Sequence, residues 1–138
     1  RASAAFAQGN LGKAMRYAKS EDFIERKDHI ISLLRHVEQM DLSEMLAVIK
    51  DLGTRKDEVR DYIDLMVLWY RDVLLFKATK DINQLLFQDE ASYISREASH
   101  RSYEKIEEIL QAFEKAKVRL RANVNFDITM ELMLLTLK

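Results

Sequence analysis

Apolar positions recur three and four residues apart through most of this chain, the spacing that places side chains on one face of a helix. Phe23, Ile24, Ile30, Ile31, Leu34 and Val37 trace such a stripe over 20–40. Ser20 can cap that segment, with Glu21 and Asp22 in its electropositive first turn. Asp41-Leu42-Ser43-Glu44 reads as a capping box. It opens a helix predicted to run to Leu52, with Met45, Leu46, Val48, Ile49 and Leu52 apolar. Gly53 sits where a helix C-terminal glycine belongs. Residues 56–79 are the most apolar stretch. From Val59 through Leu65 and Trp69 to Phe76, apolar residues cover most of a helix circumference. That pattern predicts a central helix. Its polar strip is Arg60, Asp61, Asp64 and Arg71, with Arg60 and Asp64 spaced to pair.

Residues 80–101 read as a connector. A short helical turn over 81–87 would tuck Leu86 and Phe87 inward, and 89–99 forms a further helix. A strongly amphipathic helix is predicted over 102–122. Asn123-Val124-Asn125 interrupts it. Asn123 tolerates left-handed backbone and Asn125 can cap the last helix, 126–137. At the other end, 2–7 is a small-residue helix end, 9–12 a break, and 13–19 a short helix. The expected architecture is a compact all-α bundle of about five to seven helices.

Composition sharpens this reading. The 138 residues suit one domain, or one domain with a fragment of a neighbour. There is no proline and glycine occurs three times, so little forbids helix. The absence of cysteine excludes disulfides, thiolate metal sites and cysteine nucleophiles. The net charge of −1 marks no obvious polyanion binder. Its distribution is uneven: Arg1, Lys13, Arg16 and Lys19 give +4 over 1–20, leaving −1 − 4 = −5 for the rest. No apolar run reaches the roughly 18 residues of a membrane span. The chain starts on arginine, which points to a piece of a longer protein.

Motifs for chemistry are missing. Gly9-x-x-Gly12-Lys13 has the wrong spacing for a phosphate loop and reads as a helix break. His29 and His36 lie about 10.5 Å apart along a helix, too far to share an ion, and read with His100 as surface residues. Glu131 is an acid in an apolar last helix, able to bond nearby backbone or an asparagine such as Asn123. Arg71 and Asp72 follow Trp69 and Tyr70 inside the most apolar helix. They need partners there, so they either anchor helix packing or face another protein. Lys115, Lys117, Arg119 and Arg121 form a basic cluster. It reads as a helix end with favourable cations, or as a nucleic-acid patch whose binding would weaken steeply with salt.

Three segments resemble a known family. Gly9-Asn10-Leu11-Gly12-Lys13-Ala14 is similar to the end of the lid subdomain of bacterial clamp-loader subunits. Leu68-Trp69-Tyr70-Arg71-Asp72-Val73-Leu74-Leu75 resembles the central collar helix of the delta-prime subunits of DNA polymerase III. Asn123-Val124-Asn125 followed by Glu131-Leu132-Met133-Leu134 is similar to the last helices of those subunits. The resemblance implies that 1–20 is the tail of an AAA+ lid and 21–138 a C-terminal collar domain. It implies a role in holding together the pentamer that loads the sliding clamp on primed DNA. The implied partners are the gamma/tau and delta subunits, with DNA contacted at most indirectly, in the cytoplasm. It implies neither catalysis nor any cofactor or metal in this piece; ATPase chemistry would lie upstream and in other subunits. Lys13 stands where an active sensor 2 has arginine, in keeping with a subunit without ATPase activity. A gamma/tau or delta collar is the alternative within the same system.

Overall fold

The computed structural model describes residues 21–138, and the expectations for 1–20, with the Ser20 cap, fall outside them. The described residues form six α-helices and three single 3-10 turns, with no strand. We number the helices α1 (Glu21–His36), α2 (Leu42–Gly53), α3 (Lys56–Thr79), α4 (Ala91–His100), α5 (Tyr103–Arg121) and α6 (Phe126–Leu137).

Helix α3 is the hub. At 24 residues it is the longest element, and α1, α2, α4 and α5 all pack on it. Val59, Ile63, Met66, Trp69, Tyr70 and Val73 are buried along it. Asp61 and Asp64 remain in the exposed strip. Asp64 takes Lys117 of α5 as its partner, at 2.8 Å, in place of the expected Arg60. Helix α6 lies at the periphery, against α2 and α5.

The helix ends follow local chemistry. Asp41 accepts from the Glu44 amide at 2.8 Å, and Glu44 accepts from the Asp41 amide at 3.2 Å, which completes the capping box. Asn123 adopts φ 57° and breaks α5 from α6. Asn125 Oδ1 then accepts from the Ile128 amide at 3.0 Å.

Three expectations needed correction. The 20–40 segment is not one helix: the α-helix stops at His36 and a 3-10 turn covers Val37–Gln39. Gly53 ends α2, yet no glycine among the described residues has positive φ, and the C-cap is Thr54 in right-handed conformation. The left-handed end belongs instead to Lys80, with φ 59°, closing α3 through its amide to the Phe76 carbonyl. In the connector, two 3-10 turns precede α4; Phe87 enters the core as expected, Leu85 is buried beside it, and Leu86 packs against the core while partly exposed.

Candidate assembly surface and the polar network behind it

Of the sequence-derived candidates, Gly9, Gly12, Lys13 and Ala14 lie outside the described residues. The Trp69 to Asp72 stretch is used inward. Trp69 is buried against the rings of Phe87 (5.5 Å) and Tyr93 (5.7 Å). Asp72 is buried too, and its two carboxylate oxygens accept from the Leu86 and Phe87 amides at 3.0 and 2.8 Å. It therefore anchors helix packing by pinning the connector to α3. Burial pushes its pKa up from 3.8 to about 6, against the opposing pull of the Phe87 and Leu86 amides. Arg71, next to it, is half-buried on α3.

Tyr70 leads to a network that sequence reasoning missed. Its hydroxyl donates to Glu97 Oε1 at 3.2 Å. Burial first, and then the Glu97 charge, push the Tyr70 pKa far above its usual value, so the hydroxyl keeps its proton. Arg101 is buried in the turn between α4 and α5, its Nε 3.0 Å from Glu97. Its Nη2 donates to Glu38 and to the Leu137 carbonyl, both at 2.8 Å. Burial works against the Arg101 charge, but Tyr70, Glu97 and Glu38 outweigh it and hold the pKa above its ordinary value. One guanidinium thus ties together the turn after α1, the end of α4 and the last turn of α6. The sequence signal was faint. Glu97 and Arg101 are spaced i,i+4, but so are many exposed pairs.

The remaining candidates stay peripheral. Asn123 and Asn125 act on the α5–α6 junction. Glu131 is half-buried and makes no hydrogen bond with Asn123, so the expected pairing does not form. The members of the basic cluster differ in their surroundings. Lys115 and Arg121 are exposed, Arg119 is half-buried, and Lys117 is committed to Asp64 and Glu114. His29, His36 and His100 are exposed. A cavity of 420 Å³ opens between α1, α2 and α3 over Tyr62 and Met66, with Met130 of α6 also in its lining. Its polar rim holds no nucleophile with a base and an orienting acid. No cluster of three metal-ligating side chains forms among the described residues. No helix among them is long and apolar enough to cross a membrane.

An exposed apolar surface lies on α6. Met130, Met133, Leu134 and Leu137 fill its inner face. Ile128, Leu132 and Leu135, at i, i+4 and i+7, share its outer face and are 56%, 45% and 47% exposed. A helix apolar on both faces belongs in an interior, and this one has an uncovered side. Helix α2 runs antiparallel beside it: Lys138 Nζ reaches the Met40 carbonyl at 2.7 Å, while Gly53 lies near Phe126 at the other end. It exposes two more leucines, Leu42 and Leu46.

Comparison with known families adds the decisive observation. The family model described as DNA polymerase III, delta subunit, C terminal, matches residues 20–138, nearly the whole chain. The chain belongs to that family. It is thus a clamp-loader domain of the polymerase III assembly. Other members of the clamp loader are its partners by family. No curated protein and no solved structure matches the chain.

Proposed function

We propose that this chain is a collar domain that helps hold the clamp-loader pentamer together, and that the α6 outer face is the surface it uses. The carrying observation is the Ile128–Leu132–Leu135 stripe, an uncovered apolar face in a family of multisubunit parts. Its energetics are adequate. Full burial of each large aliphatic side chain contributes about 1.5–3 kcal/mol, and covering the exposed half of three of them contributes several.

In finer detail we assign the chain to a delta-prime subunit that serves as a stationary element in the cytoplasm. Support comes from the Leu68 to Leu75 and Asn123 to Leu134 segments, and from Lys13 in the arginine position. We also take 1–20 as the tail of an AAA+ lid; the family match begins at residue 20, where that boundary is expected. A delta collar is the second reading, favoured by the wording of the family itself. Direct DNA binding through Lys115 to Arg121 is disfavoured because Lys117 is already paired. Mixing the chain with the collar regions of gamma/tau and delta should give a complex at tens of micromolar. An exclusively monomeric mixture at that concentration argues against the reading. A delta chain would in turn pair with the delta-prime collar in place of the delta one.

A further inference from the structure

A second recess lies between α1 and α4. It has a volume of 270 Å³ and is lined by Arg35, Glu38, Tyr93, Arg96, Glu97 and His100 among others. The two carboxylates are already engaged: Glu97 and Glu38 both hold Arg101, and Glu38 also lies 3.3 Å from His100 Nε2. Arg35 and Arg96 are different. Both are exposed, and both guanidiniums converge on the Tyr93 ring, at 5.1 and 5.9 Å from its centroid. Neither has a carboxylate within ion-pair range among the described residues. Nor can 1–20 supply one, because that segment contains no Asp or Glu. The recess therefore holds two exposed guanidiniums that no carboxylate of the described fold pairs with, while both of its carboxylates are taken up by Arg101.

We infer that this recess receives an aspartate or glutamate side chain from a partner protein. The composition favours a protein over a polyanion. Arginine and tyrosine in a recess are the residues that concentrate binding energy at protein interfaces. A guanidinium can grip a carboxylate through paired hydrogen bonds. Nucleic acid would instead want a long cationic track. Here the cations share a small recess with two carboxylates, buried Glu97 and exposed Glu38. The Tyr93 ring holds the two guanidiniums in place by cation–π contact before a partner arrives, which lowers the ordering cost of docking. This contact is separate from the α6 stripe and does not rest on the collar reading.

The test uses the 138-residue chain and a blocked hexaglutamate peptide at low ionic strength, with hexaglutamine as the uncharged control. Binding is read from the side-chain Nε–H signals of Arg35 and Arg96 in NMR and from the fluorescence of Trp69, the chain's one tryptophan. Hexaglutamate should shift the arginine signals saturably and hexaglutamine should not. Arg35→Gln and Arg96→Gln, both at exposed positions, should each weaken binding about tenfold, while Lys115→Gln should leave it unchanged. Three results overturn the inference. One is the absence of saturable binding. Another is binding that survives the Arg35→Gln/Arg96→Gln double change. The last is a twelve-nucleotide single strand that binds more tightly than the peptide through the same two arginines.

Discussion

Asp72 shows how one side chain can decide between a structural and a partner-facing role. On sequence alone its charge, set in the most apolar helix, was open to both. Its two oxygens, each on a connector amide, settle the matter. Asp72→Ala leaves the Leu86 and Phe87 amides without acceptors and should cost about 2–4 kcal/mol in denaturant unfolding. The pH dependence has a definite sign. With the folded pKa raised to about 6 from 3.8, the native state binds the proton more tightly than the unfolded chain. This group's contribution is therefore fully present below about pH 4 and declines as pH rises toward 6. Asp72→Ala should flatten that part of the stability profile; an unchanged slope would place the titration elsewhere. Arg101 could not be foreseen in the same way, because its partners Glu38 and Leu137 are 63 and 36 residues distant. Nothing local marks such a meeting.

At the scale of elements, caps and stripes were legible because they are local. The Asp41 box, the Asn125 cap and the left-handed Asn123 all rest on side chains bonding backbone within a few residues. The end of α1 and the turn at Lys80 were not legible, because no glycine or asparagine marks either place in the sequence. Gly53 is instructive. It stops α2 without using its conformational freedom, and a Cβ built on it would meet Phe126 Cε2 at 3.8 Å, an ordinary contact. Gly53→Ala should therefore stabilise the domain by about 0.4–1 kcal/mol, by restricting the unfolded chain and not by adding strain. A rise in thermal midpoint checks it, and a fall would mean that the α2–α6 junction has no room for a methyl group.

For the whole molecule, the Tyr70–Glu97–Arg101–Glu38 network and the α6 stripe have complementary roles. The network fixes the last turn of α6 through the Leu137 carbonyl, so the outer stripe is held by a buried ion pair on the other side of the helix. Arg101→Met should cost about 3–5 kcal/mol, because Glu97 is left buried and unpaired. Arg101→Met/Glu97→Gln should recover most of that loss in the same unfolding measurement; no recovery would show that the ion pair is not the source. The bundle itself could be read from helical periodicity. Which apolar faces stay uncovered could not, since inner and outer α6 residues are equally hydrophobic and only the packed fold tells them apart. The most direct test is sedimentation velocity of the chain mixed with the gamma/tau and delta collar regions, comparing wild type with Ile128→Lys/Leu132→Lys. The wild-type chain should form a complex that the double variant loses at unchanged helical content. Equal complex formation by both would contradict the assignment of the α6 face.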